Sequence, residues 1–257
     1  MPADPRRPRR RLATTAPAAA AGAALLGLTL AGCGGSGGSA APPPSPSLSP
    51  AAQQLSQLAA ASRDSLFTAR YAAVSNAGRK ATVTVWVRSA DRYRVDVAEN
   101  GVTAALYGTA AGAVACTWQS GQKPACFLVA KPGKPIPSQF DAGVQRVFTR
   151  DLPLLAANPQ SFVITEKQPV AATAKLAAAR CFTITAGSGS APLTSGLVDD
   201  VDLGSYCLSS SGPPRSLTFA SGTLTLVAVG GAPAASTLKL PATPQPLPAS
   251  ASATPSH

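Results

Sequence analysis

Histidine is nearly absent from this 257-residue sequence; its single copy is His257. No imidazole therefore lies inside the folded region, which excludes Ser-His-Asp and Cys-His nucleophilic arrangements. Zinc-type motifs fail as well, because no two of the 5 cysteines are separated by two residues. Phosphate cradles are missing: Gly187-Ser188-Gly189-Ser190 is followed by neither Lys-Ser/Thr nor a helical pattern. Gly34, Ser36 and Gly38 match a nucleophile-elbow string, but no strand precedes them. Acidic residues are scarce, 11 against 22 basic ones, and Asp91, Asp96, Glu99, Asp141, Asp151 and Glu166 show no paired spacing. The densest acidic cluster, Asp199-Asp200-Val201-Asp202, lacks the ligand ladder and glycine of an EF-hand loop. The expectation is a protein that is not an enzyme and holds neither metal nor cofactor.

A long, strongly apolar run is lacking too. The charge-free stretch Leu12–Gly32 is diluted by Thr14, Thr15, Pro17, Gly22, Gly27 and Thr29, which argues against an uncleaved membrane-spanning helix. It follows Arg6, Arg7, Arg9, Arg10 and Arg11 and ends in Leu30-Ala31-Gly32-Cys33. This resembles the box of bacterial lipoproteins, in which small residues precede a cysteine whose thiol takes up diacylglycerol. The resemblance implies a signal peptide over 1–32, lipid (palmitate among it) on Cys33, and a place on the outer face of the cell membrane. The arginine pairs leave Sec and Tat export both open. From Gly34 to Pro50 all residues but Ala40, Ala41 and Leu48 are Gly, Ser or Pro, a composition that makes 33–50 a lipidated tether. The five leader arginines face only Asp4, so the remainder keeps a modest basic excess, suited to an anionic lipid surface.

Residues 51–242 are expected to form the folded domain, with a disordered Pro-, Ala- and Ser-rich tail over 243–257. Ser49-Pro50 opens a helix, a capping side chain followed by a residue that loses nothing at the first helical position. Leu55, Leu58, Ser62 and Leu66 then recur at helical spacing. The period changes to two at Phe67. Phe67, Ala69, Tyr71 and Ala73 alternate with polar or small residues, as do Ala81, Val83, Val85 and Val87, and then Tyr93, Val95 and Val97. Such alternation marks half-buried antiparallel strands. Further strands are expected at 102–107, 113–118, 125–130, 161–165, 180–185, 201–208, 216–219 and 223–229. Ser221-Gly222 is read as a turn setting Phe219 beside Leu224. Ser138 and Asp141 resemble a capping pair for a helix over about 139–150, with a short restart at Leu154 and Leu155.

Cys116 and Cys126 lie symmetrically about Gly121, so a hairpin would bring them face to face. Cys181 and Cys207 would then join the strands flanking the loop near 186–198, and both pairs are expected as disulfides of an exported domain. Arg70, Arg88, Arg92 and Arg94 fall on the polar strand faces, and so does Trp86. That pattern disfavours nucleic acid and suits solubility, or lipid headgroups should the strands be neighbours.

The order of these features resembles periplasmic lipoprotein carriers and the lipid-carrying lipoproteins of mycobacteria. Leu66-Phe67 entering the first strand, Tyr206-Cys207-Leu208 followed by Gly212, and Leu238-Lys239-Leu240-Pro241 carry the likeness. It implies an α+β, mainly antiparallel half-barrel with an N-terminal helix and a short helical lid. It further implies that Val83, Val85, Tyr93 and Val95 line a concave face, with Phe140, Val144 and Val147 on the lid. The function implied is non-catalytic binding of a lipid or other apolar ligand; the alternative is an envelope sensor that presents its sheet to a protein partner.

Overall fold

The structure, a computed structural model, describes residues 48–141, 143–187, 201–210 and 212–247. The expected signal peptide over 1–32, Cys33, Asp199, Asp200 and the chain from 248 onward lie outside the described residues. The fold is α+β, built on one curved, unclosed sheet of twelve strands that are antiparallel except for the last pair.

Helix α1 (Pro50–Asp64) starts where Ser49 Oγ accepts the Ala52 N–H at 3.2 Å. It buries Leu55, Ala59 and Ser62, one face at i, i+4, i+7. Strand β1 (Phe67–Ser75) is the centre of the sheet, with β2 (Lys80–Ser89) on one side and β11 (Gly222–Gly230) on the other. Beyond β2 follow β3 (Arg92–Glu99), β4 (Val102–Thr109), β5 (Gly112–Gln119) and β6 (Ala125–Ala130), each pairing with its predecessor. Asn100 and Gly101, both at positive φ, make the β3–β4 turn in the form that matches strand twist. On the other side lie β10 (Ser216–Phe219), β9 (Gly204–Ser209), β8 (Ala179–Ala186) and β7 (Phe162–Val170), which ends the sheet.

The β10–β11 register departs from the expectation. Phe219 lies opposite Gly222 and Leu217 opposite Leu224, so the turn is tighter by one pair. A Cβ on Gly222 would lie 2.3 Å from Val74 O, and only glycine lets β11 approach β1 this closely. The helical expectation shifts as well. Ser138–Phe140 forms a separate 3-10 turn, and Asp141 accepts from Thr149 Oγ1 at 3.0 Å instead of joining Ser138 in a cap. The helix proper runs through α2 (Gly143–Arg146), a π-helical stretch Val147–Asp151 and α3 (Leu152–Ala157). In the π stretch the Leu152 N–H donates to Val147 O, five residues back. This wider ring precedes Pro153, which has no N–H to give to Thr149 O.

The main core lies between the concave face and the two helical segments, around Tyr71, Val85, Leu155, Phe182, Tyr206 and Leu208. The outer face of β4–β6 is covered too. Strand β12 (Gln245–Pro246) pairs in parallel with β6, and Leu240 and Ala242 pack on Tyr107, Val114 and the Cys116–Cys126 bridge. Ordered chain thus continues past residue 242 to 247. Both disulfides pair as expected, Cys116–Cys126 between β5 and β6 and Cys181–Cys207 between β8 and β9. Each joins directly opposed residues, and closing loops of this size restricts the unfolded chain by about 3 kcal/mol per bridge.

Candidate functional site

Strand alternation sends Val83, Val85 and Val95 to the concave face, and the helix lays Val147 upon them. All four are 0 % exposed. They belong to the main core and border none of the three clefts described below. Phe140 packs in a second cluster with Leu106 and Val129, which Tyr93 also borders. Tyr93 and Val144 border open space in different clefts.

Tyr93 divides a two-chambered cleft. The inner chamber, about 280 Å³, lies between Phe67, Val87 and Tyr93 of the sheet and Phe148, Leu152 and Pro153 of the helix. The outer chamber, about 440 Å³, is bounded by Tyr93, Gly108, the loop from Lys131 to Ile136, and Asp141, Thr149 and Arg150. Tyr93 and Thr149 belong to both walls. Burial, with the Asp141 charge adding to it, pushes the Tyr93 phenol up to about 12, so the ring stays neutral. Gly108 makes room for that ring: a Cβ there would lie 2.4 Å from Tyr93 Cε1. Val144 lines a different cleft of about 280 Å³ near Ala73, Ala81, Val97 and Phe219, rimmed by the Arg79–Glu99 ion pair at 3.8 Å.

Sequence reasoning placed Phe148 in the helix and Leu152 and Pro153 at its restart but did not name them as lining residues, because which helical side chains meet Tyr93 is set by the packing of helix on sheet. Phe67 and Val87 carried a signal, their position on the inward face of β1 and β2.

Two polar clusters accompany the clefts. On the outer face the Arg94 guanidinium donates twice to Asp96, at 2.7 and 2.5 Å, and once to Thr237 O at 3.1 Å. It stacks between Trp86 (4.7 Å) and Tyr107 (5.1 Å), its direct neighbours on β2 and β4. Trp86 is thus a half-buried ring packed on an arginine. Beneath the helix Asp151 is 0 % exposed; its Oδ2 accepts from the Tyr206 hydroxyl (3.1 Å) and the Asp202 N–H (3.4 Å). Burial, then the charge of Asp202, pushes the Asp151 carboxyl up to about 7, although Tyr206 and Arg150 pull the other way. Asp151 Oδ1 and Asp202 Oδ2 are buried without a hydrogen-bond partner, while Asp202 Oδ1 lies 3.7 Å from Arg146. Among the described residues no group of three or more His, Cys, Asp or Glu is placed to hold a metal ion, and no helix is long and apolar enough to cross a membrane.

Compared with known proteins, the chain matches no family model and no curated protein.

Proposed function

We propose that this chain is an extracytoplasmic lipoprotein, held to the membrane by lipid on Cys33, that binds an apolar or lipid chain in the Tyr93 cleft without acting on it chemically. The cleft carries this reading. Its inner chamber offers Phe67, Val87, Phe148 and Leu152 to an acyl chain, while its outer chamber keeps Lys131 and Lys134 for a polar end. The outer chamber, about 440 Å³, lies in the size range of small-molecule sites, roughly 300–1,000 Å³, and the inner one, about 280 Å³, adds to it. The curved, open sheet with helices on its concave side supports the likeness to lipoprotein carriers, and fold alone does not assign the ligand.

Displacement of cis-parinaric acid, followed by fluorescence, tests the cleft. Gly108→Ala forces the Tyr93 ring into the chambers, and overpacking of this kind costs about 1–3 kcal/mol, so probe affinity is expected to fall about ten-fold. Equal affinity of wild type and Gly108→Ala, with unchanged melting, would place the ligand elsewhere; no binding by either removes the reading. The anchor is tested separately. Cys33→Ala is expected to lose palmitate labelling and to leave the membrane fraction, whereas a processed, still membrane-bound variant overturns the anchor.

A specific observation favours a second reading, an envelope sensor that presents its sheet to a protein. The concave face is closed by Val83, Val85, Val95 and Val147, so no large lipid fits at its centre. Native mass spectrometry of the protein purified from its own membranes separates the two. A lipid adduct supports the binder; a clean protein mass with one co-purifying protein supports the sensor.

A further inference from the structure

The two ends of the sheet differ in charge. One end gathers the chain entering β1 after α1, the β2–β3 and β4–β5 turns, the loop after β6, the β7–β8 loop and the chain before β10. Ser65 Oγ accepts the Gly212 N–H at 3.2 Å and Arg215 donates to Ala177 O at 3.3 Å, which ties neighbouring segments of this end together. Arg88, Arg92, Lys131, Lys134 and Lys175 are exposed here and Arg215 is half-buried. The carboxylates facing them are Asp91 and Asp141, the latter in the outer chamber with Lys131 and Lys134, while Asp64 is bound by Arg63 and Glu166 by Arg180. Asp91 is occupied by the Ser89 hydroxyl at 2.6 Å. The opposite end pairs Arg79 with Glu99 and Arg146 with Asp202, which leaves an excess of two, Lys80 and Lys123.

The cationic end has two further features. Leu66, expected on the buried face of the first helix, is 55 % exposed just beyond that helix. The outer chamber of the Tyr93 cleft opens here, between Gly108–Gly112 and Lys131–Ile136.

We propose that this end of the sheet is a docking surface for an anionic lipid bilayer. Basic side chains around an exposed leucine fit the headgroup region, where each cation contributes attraction within a Debye length and the apolar side chain reaches the acyl boundary. The charge difference between the ends is what selects this face; net charge alone would favour neither. Docking also brings the cleft mouth to the lipid, but it does not depend on the cleft binding anything.

The test is sedimentation of the full chain with vesicles of phosphatidylcholine, or of about three parts phosphatidylcholine to one part phosphatidylglycerol. The leader, with its five arginines, is common to wild type and variants, so the change in the ratio of the two affinities between them is the readout. Wild type is expected to prefer the anionic vesicles by about ten-fold or more, with the preference falling as salt rises. The triple variant Arg92→Glu, Lys131→Glu, Lys134→Glu is expected to fall to the residual preference that the leader arginines supply. A control of equal charge change at the far end, Arg79→Glu, Lys80→Glu, Lys123→Glu, is expected to keep it within about two-fold. Circular dichroism melting confirms that both remain folded. Equal loss in both triples means attraction by net charge only and overturns the proposal, as does a wild type without preference. Soluble poly-glutamate serves as competitor. Tight binding to it with no vesicle preference would assign the surface to an acidic macromolecule and likewise overturn the bilayer reading.

Discussion

Arg94→Ala is expected to destabilise the fold by about 3–5 kcal/mol, the range for stripping one partner from a buried ion pair. The Arg94 and Asp96 side chains are 19 % and 12 % exposed, so most of the pair is screened from water by protein. Burial alone pushes the Asp96 carboxyl upward, and the Arg94 guanidinium opposes that shift without cancelling it. Removing the guanidinium leaves the carboxylate unpaired beneath the covering segment. It also takes away the stacking on Trp86 and Tyr107 and the bond to Thr237 O, which helps fasten residues 235–238 to β3. Urea denaturation measures the loss, with Trp86 fluorescence reporting locally. Arg94→Ala/Asp96→Ala is expected to recover part of it, because the stranded charge goes too. The penalty of the single variant should also shrink at low pH, where Asp96 protonates. A loss below about 1 kcal/mol at neutral pH would show that the pair behaves as a solvated surface bridge.

Asp151 should make stability depend on pH in the sense opposite to an ordinary salt-bridged carboxylate. In the unfolded chain it ionises near 3.8, whereas in the fold it holds its proton to about 7. Between those values the native state binds the extra proton, so stability is full below about pH 4 and falls as pH rises to about 7. The total reaches about 4 kcal/mol, at 1.36 kcal/mol per pH unit of separation. The groups facing Asp151 are Asp202, Tyr206 and Arg150, with Arg146 paired to Asp202, and of these Asp202 raises its proton affinity. Asp151→Asn removes the titration. Its denaturation profile is expected to flatten across pH 4–7 and to lie above wild type beyond pH 7. Parallel profiles of variant and wild type would sink this account.

Much of the fold was legible because two-residue periodicity maps directly onto a sheet with one dry face. Phe67, Ala69, Tyr71 and Ala73 are all buried, as their alternation with Thr68, Arg70 and Ala72 implied. The disulfides were legible for a related reason: hairpin symmetry about Gly121 determines which cysteine faces which. The helix from 143 was less so. Its position depends on Thr149 bonding Asp141 and on a π turn before Pro153, neither of which leaves a periodic trace. In β4 the alternation fails, because Ala105, Leu106 and Tyr107 are all buried. Leu106 faces the concave side while Ala105 and Tyr107 lie under the chain around Leu240 and Ala242. No local pattern in β4 could announce a cover supplied more than 130 residues later.

By itself, then, the sequence determined the strand faces, the Ser49-capped first helix and both cysteine pairs, since each rests on contacts between residues near in the chain or symmetric about a turn. Tertiary structure alone decided that the concave valines form a sealed core, that Tyr93 stands between two chambers, and that six cations share one end of the sheet. Those outcomes depend on how far a helix slides across a curved surface and on which turns the strand order brings together, and both are settled by long-range packing.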